Sequence, residues 1–266
     1  MTGHQQTISM KRLPWIIPLM VFLCVPPRGV AQQAAIAITD SLEVQEIQQG
    51  VWVHTTWKAV EGWGRIRSNG LLIVADSTGF LVDTAWGHEP TRALLAWVDT
   101  HLQIRIEQAV LTHAHADRMG GIAVLRERDI PTVATTRTRA LAQAQGWPLP
   151  DETFEKAHRV SVGERAIELF YPGAAHTVDN AVVWLPDARL LFGGCMIKGA
   201  HSKSLGNLAD ADVKAWPATL DALIARYPKP SVVIPSHSPP GDHTLLSRTA
   251  RLLEQHANGN EDKPDQ

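Results

Sequence analysis

Four short polar clusters limit how this chain can fold, because each stands where an apolar run ends: His113 to Asp117, His176 to Asn180, Cys195 to Lys198 and Ser236-His237. The runs before them, Gln108 to Leu111, Ile167 to Tyr171, Leu190 to Phe192 and Val232 to Pro235, have the length and apolar character of strands. Clusters so far apart in sequence meet only if their strands end at one edge of the molecule. The chain is therefore expected to bring four loops together there.

The remaining elements support a layered arrangement. Val51 to Trp57, Gly70 to Val74 and Phe80 to Asp83 read as an antiparallel opening, followed by a helix that starts at Glu89-Pro90. Helices over 121 to 127 and 136 to 145 alternate with a strand at Thr132 to Ala134. Further strands lie at 181 to 185 and 190 to 192. A helix capped by Asp212 places Trp216, Leu220, Leu223 and Ile224 on one face, and a last helix spans about Asp242 to His256. Two coarsely similar halves of this kind predict an α/β protein with two packed sheets and helices outside. Residues 258 to 266 read as a polar tail.

Composition narrows the function classes. With 44% hydrophobic and 20% charged residues the chain is ordinary globular protein, and its formal charge of -2 carries no basic stripe for a nucleic acid. Lys11 and Arg12 precede an apolar stretch from Leu13 to Val25 and a small-residue exit at Gly29-Val30-Ala31, the layout of a cleavable export signal over residues 1 to 31. The apolar stretch falls short of the roughly 20 residues that span a bilayer. Leu23 also stands where a lipidated Cys24 would require a small residue. A periplasmic product comprising 32 to 266, without stable membrane association, is expected. Losing Lys11, Arg12 and Arg28 with no acid moves the formal charge from -2 to -5, and Cys195 remains as the only thiol. In a compartment where cysteines normally pair, metal ligation is one explanation for a lone one.

His113-Ala114-His115-Ala116-Asp117 offers three metal donors at alternate positions, with Gly120 and Gly121 available for the bend that would let them converge. Alone, His-x-His is as readily two surface histidines. His176, Cys195 and His237 after other strands change the balance. Six donors exceed one tetrahedral zinc, which in catalytic sites keeps about three protein ligands and an open position, but suit two. The natural division puts His113, His115 and His176 on one ion and Asp117, Cys195 and His237 on the other. The three-histidine ion keeps its full charge and can lower the pKa of its water to about 7. The second, largely neutralised ion remains able to receive charge on a leaving group.

These motifs resemble the subclass B1 metallo-β-lactamases, whose pattern of His-x-His-x-Asp, then His, Cys and His, is matched at all six positions. Asp83-Thr84-Ala85-Trp86, His176 to Asn180, Gly193-Gly194-Cys195, Lys198, Gly206-Asn207-Leu208 and Ser236-His237-Ser238 extend the likeness across roughly residues 45 to 255. It departs from glyoxalase II and the third subclass, which place a histidine where Arg118 stands, and from the second, which has asparagine at His113. Cys195 replaces the bridging aspartate of the glyoxalase-like hydrolases.

The resemblance implies a four-layer αββα sandwich, two zinc ions and a monomer. The implied activity is hydrolysis of penicillins, cephalosporins and carbapenems, conferring antibiotic resistance. A metal-bound hydroxide would attack the lactam carbonyl while the second zinc stabilises the leaving nitrogen. Asp117 then counts as a catalytic residue as well as a ligand, Lys198 pairs with the substrate carboxylate, and Asn207 hydrogen-bonds the lactam oxygen. Trp63, between Gly62 and Gly64, matches a hairpin that covers substrate; Trp86 either walls the site or packs in the core. Asp83 and Arg118 would orient ligands. The plainer readings are a solvated Lys198, a turn at Asn207, a packed turn at Trp63 and a structural ion pair for Asp83 and Arg118. His201, His54, His88, His101, His158, His243 and His256 read as scattered surface residues. A same-fold hydrolase of thioesters, lactones or phosphoesters, or a non-catalytic zinc binder, are the competing functions.

The exported protein is expected to begin at Gln32 or within a few residues of it. Mass spectrometry of periplasmic material checks this; a mature species that keeps Cys24 with acyl chains attached would overturn the soluble assignment.

Overall fold

The computed structural model describes residues 1–4 and 34–259. The expected signal, beyond its first four residues, and the tail from 260 on lie outside the described residues. Eight strands form the first sheet in chain order: β1 (Ile36–Thr39), β2 (Leu42–Gln48), β3 (Val51–Val60), β4 (Gly64–Ala75), β5 (Thr78–Val82), β6 (Arg105–Leu111), β7 (Thr132–Thr135) and β8 (Glu152–Phe154). The second sheet holds β9 (Ala157–Val162), β10 (Arg165–Phe170), β11 (Val182–Leu185), β12 (Leu190–Gly194) and β13 (Val232–Pro235), in the spatial order β13-β12-β11-β10-β9. The helices are α1 (His88–Trp97), which runs on into a π-helical turn at Val98–Leu102, α2 (Ala116–Met119), α3 (Ile122–Glu127), α4 (Thr136–Ala144), α5 (Trp216–Arg226) and α6 (Thr244–Ala257).

The period-2 alternation of the strands separates the layers. Leu71 and Ile73 of β4, Phe80 and Val82 of β5, Ile167 and Leu169 of β10, and Leu190 and Phe192 of β12 form one core shared by the two sheets. The residues between them point the other way. Leu72 and Leu81 pack with Leu94, Leu95 and Trp97 of α1 and Leu125 of α3, whereas Phe170, Leu191 and Val233 pack with Trp216 and Leu220 of α5 and Leu245 of α6. Helices therefore cover both outer faces, giving the expected four layers.

Strand direction determines where the loops emerge. β5, β6, β7 and β8 pair in parallel, as do β12 and β13. β10 is antiparallel to β11, and β11 to β12, so β10 and β12 point the same way. The loops after β5, β6, β10, β12 and β13 carry all four polar clusters, and the two sheets bring them to one edge.

Some sequence expectations need correction. The halves are unequal, with eight and five strands: β2, β8 and β9 lack a continuous apolar run, and β1 is a four-residue, mostly exposed edge strand. Asp212 does not cap α5 itself; its Oδ1 accepts from Ala215 N–H at 2.9 Å, capping the turn that leads into the helix. α6 begins at Thr244, after Asp242 closes a similar turn. His54 is no surface residue: it is 1% exposed on β3, and a Cβ at Gly70 on the paired strand would lie 2.2 Å from its Nε2. Gly70 is the space that lets this imidazole lie between the strands. Among the described residues, no helix is long and apolar enough to cross a membrane.

His54 makes stability depend on pH. Burial lowers its pKa from 6.5 to about 4, against the hydrogen bond to the Val82 carbonyl. Its contribution is complete above about pH 6.5 and is lost as pH falls from there toward 4, where the unfolded chain takes a proton that the folded chain does not. Between pH 7 and pH 5 the wild type is expected to lose about 2 kcal/mol more stability in urea titrations than His54→Gln. Equal losses would show that His54 does not titrate on unfolding.

Candidate metal centre

The loop after β6 begins at Thr112, which donates its N–H and hydroxyl to the two carboxylate oxygens of Asp83, at 2.7 and 2.9 Å, and bends over residues 113–115. Asp83 sits at the end of β5 with a left-handed φ of 61°, an uncommon conformation for a residue with a side chain. His113 and His115 follow, and α2 starts at Ala116. Ala181 N–H donates to the Thr112 carbonyl at 2.7 Å, and Asp179 Oδ2 accepts from Ala114 N–H at 2.9 Å. The His-x-His segment of one sheet is thus tied to the His176 loop of the other.

Three imidazoles converge there. The ring centroids of His113, His115 and His176 lie 4.8, 5.3 and 5.4 Å apart, and each pair stands nearly perpendicular. Beside them Cys195 Sγ is 3.3 Å from His237 Nε2 and 3.9 Å from Asp117 Oδ2, which is 3.3 Å from that same Nε2. Donors about 2.0–2.3 Å from a shared tetrahedral ion are separated by roughly 3.3–3.7 Å. The second set is therefore spaced for one ion.

The tautomers fit as well. His237 Nδ1 is 2.7 Å from the Arg67 carbonyl, which can only accept, so Nδ1 carries a proton and Nε2 is the ring atom that faces the thiol and carboxylate and is left for a metal. His115 Nε2 is 3.0 Å from Asp210 Oδ2, leaving Nδ1 as its free donor atom. Nε2 of His113 is buried with no hydrogen-bond partner among the described residues. An orphaned imidazole nitrogen in a pocket of other donors is the condition that a metal ion relieves.

Electrostatics point the same way. Arg118, with no solvent exposure, donates from Nε and Nη2 to Asp117 Oδ2 at 2.9 and 2.6 Å and from Nη1 to Asp83 Oδ2 at 3.1 Å. Its remaining contacts are the Asn69 carbonyl at 2.6 Å and Ser68 Oγ at 2.5 Å. Burial alone would raise the Asp117 carboxyl, but Arg118 and then His237 hold it well below the usual range. Burial raises Asp83 to about 6 despite Arg118. Cys195 is likewise held far down, with Arg118 and His237 outweighing burial. A thiolate and a carboxylate then share one guanidinium, and His237, lowered by burial but raised by both anions, reaches about 10. Without a metal the cluster holds a proton at His237; with one, that proton is displaced. The donor set suits a cation of mixed nitrogen, sulfur and oxygen preference, which describes zinc.

Asp117, His115, His176, Cys195 and His237 face a cavity of about 540 Å³ that Lys198, Asn207, Trp63 and Trp86 also line. Lys198 is half-buried; Nζ donates to the Cys195 carbonyl at 2.9 Å and lies 5.1 Å from the Trp216 ring centre. Burial lowers it to about 8, against the nearby Cys195. Asn207 Oδ1 accepts from Ala209 N–H at 3.0 Å, so the turn expected of an asparagine is present and the side-chain NH2 remains available. Trp63 is 49% exposed at the tip of the β3–β4 hairpin, where Gly62 and Gly64 take positive φ of 76° and 72°. Trp86 is a half-buried wall stacked near the Lys58 ammonium. His201 is exposed.

Sequence reasoning missed Asp210, the partner of His115, and the pair Ser68 and Asn69, which closes the shell around Arg118. Asn69 Nδ2 donates at 2.8 Å to the carbonyls of both Pro235 and Ser238, on either side of His237. None of these three residues lies in a recognisable motif; Asp210 reads as an ordinary loop acid.

Residues 63–237 match the metallo-beta-lactamase superfamily. The chain is 33% identical over 230 residues to the metallo-beta-lactamase type 2 of Bacteroides fragilis, covering 86% of this chain and 92% of that protein. Among solved structures, a metallo-beta-lactamase from Pontibacter korlensis is 42% identical with a TM-score of 0.78, covering 80% of this chain and 99% of that one. FIM-1 from Pseudomonas aeruginosa, in its mono-zinc form, is 38% identical with a TM-score of 0.76 over 83% of this chain and 99% of that one.

Arg118→Ala would leave Asp83 and Asp117 buried without their counter-charge. The variant is expected to be destabilised by about 3–5 kcal/mol and to hold less metal at the Asp117 set. Chemical denaturation and metal analysis check this; wild-type stability and metal content would remove Arg118 from its role as the central support.

Proposed function

The chain belongs to the metallo-beta-lactamase superfamily, and from that premise we propose that it is a zinc-dependent β-lactamase of the B1 type, exported to the periplasm, where it opens penicillins, cephalosporins and carbapenems. The observation that carries this reading is the convergence of three imidazoles beside the Asp117, Cys195 and His237 donors, with a cation and an amide, Lys198 and Asn207, on the wall of the same cavity. His113, His115 and His176 would hold one zinc, and Asp117, Cys195 and His237 the other. Cys195 and Lys198 together favour this over a same-fold hydrolase of thioesters or phosphoesters.

When bound, zinc supplies Lewis acidity, making water nucleophilic near neutral pH and accommodating charge on the departing lactam nitrogen. The chain's own groups do the rest. Lys198 has three N–H donors and gives one to the Cys195 carbonyl, which leaves two for the carboxylate of the substrate's fused ring. Asn207 donates from Nδ2 to the lactam oxygen as negative charge builds there. Trp63 and Trp86, with Val60 and Ile66 beside them on the cavity wall, cover the ring system and exclude water. Arg118 keeps Asp117 ionised, so its carboxylate serves as ligand and can accept a hydrogen bond from water in the cavity.

Purified mature protein is expected to hydrolyse a chromogenic cephalosporin and a carbapenem, to stop on chelation and to recover with zinc. A protein that binds two zincs and hydrolyses neither would sink the proposal. Cys195→Ser exchanges a soft anionic ligand for a hard neutral one, so the second zinc should bind far more weakly while the first remains. In the wild type the thiol should resist a thiol reagent until zinc is removed. Two tightly bound zincs and unchanged turnover in Cys195→Ser would end both the ligand assignment and the two-metal scheme.

A further inference from the structure

Lys198 opens a short arc that ends at Ser202. Ser202 N–H donates to the Gly199 carbonyl at 3.1 Å, and Gly199 N–H donates to Ser202 Oγ at 3.0 Å, so the arc is closed on itself. It is also wedged in place: a Cβ at Gly199 would lie 2.1 Å from the Ser238 side chain, on the loop that bears His237. Helix α6 runs beneath it. Thr249, fully buried on that helix, accepts from Lys198 N–H at 2.9 Å and donates its hydroxyl to the Leu245 carbonyl at 2.9 Å. Its neighbour Arg248 donates from Nη2 to the Ser202 carbonyl.

Two consecutive residues of one helix thus hold the two ends of the arc, although no residue of α6 lines the cavity. A threonine inside a helix often returns its hydroxyl to the carbonyl four residues back, with little gain to the helix. Here that bond aims an oxygen lone pair at Lys198 N–H. Valine, of the same shape, would fill the space equally well. Packing alone therefore does not account for the hydroxyl.

We propose that Thr249 and Arg248 are positioning residues for substrate recognition, holding the Lys198–Ser202 arc so that the Lys198 ammonium meets the substrate carboxylate at a fixed place. The proposal rests on the reading of Lys198 as the carboxylate anchor. The two residues touch neither substrate nor metal ligand; they act through Lys198. An anchor remote from the scissile bond serves ground and transition states alike, so displacing it raises KM and leaves kcat in place.

The test is a double-mutant cycle in the zinc-loaded mature enzyme, using a carboxylate-bearing cephalosporin, with zinc content and Tm measured for every variant. Lys198→Ala is expected to raise KM about tenfold, and Thr249→Val roughly three- to fivefold, with kcat and zinc content unchanged. Thr249→Ser, which keeps the oxygen, should restore KM to within about twofold of wild type. In the Lys198→Ala background Thr249→Val should add nothing, because the group it positions is gone. Arg248→Met should behave in the same way, and it decides the matter if Thr249→Val does not fold. Equal rises in KM in both backgrounds, or no rise where Lys198→Ala gives one, would overturn the proposal. If Lys198→Ala leaves KM unchanged, the anchor reading itself fails and the proposal falls with it.

Discussion

A guanidinium with no access to solvent, placed between two carboxylates, is the constraint around which the centre is built. Desolvating Arg118 is tolerable only because Asp117, Asp83, Ser68 and the Asn69 carbonyl surround it with acceptors. The partners come from three segments: Asp83 directly follows β5, Ser68 and Asn69 lie in β4, and Asp117 is in the single turn of α2. Satisfying one charge therefore fixes the relative positions of three segments. Asn69 carries the constraint onward to both sides of His237. The same guanidinium favours the ionised forms of Asp117 and Cys195, so the contact that orders the loops also prepares the anions that attract a cation.

The sequence reveals the centre more fully than the scaffold around it. Histidine, cysteine and aspartate at the ends of apolar strands form a small vocabulary, and their number and spacing suggest two donor sets before any contact is known. The buried strands are legible for a related reason, since β12 and β13 are uninterrupted by polar residues and β5, β6 and β10 each end in apolar residues. The edges are not. β9 reads Ala-His-Arg-Val-Ser-Val with only its last residue buried, and pairing with β10 rather than side-chain burial makes it a strand. His54 was unreadable for the opposite reason: its place depends on the missing side chain of Gly70 across the pair, a relation carried by register and absent from local sequence. Asp210 acquires meaning only from the loop path that brings it to His115.

The cavity also divides its lining by stiffness. Its floor is held by strand ends, buried ion pairs and helix α6. Its rim includes the β3–β4 hairpin, where Trp63 stands between two glycines that take positive φ. A rigid floor suits groups that must meet a reacting bond, and an adaptable rim suits ring systems of different outline. The layout places the adjustable contact far in sequence from the donors, so changes in one need not disturb the other.

Neither sheet owns a complete donor set. His113, His115 and Asp117 come from the eight-stranded sheet; His176, Cys195 and His237 follow strands of the five-stranded one. A cation in either set would therefore act as a rivet between the halves of the sandwich, stabilising the folded chain by the free energy with which it binds there and not to the unfolded polymer. Cys195 is the only cysteine among the described residues, so no disulfide can serve that purpose there. Mechanical cohesion and chemistry would then draw on the same ions, and a medium that strips metal would take both together.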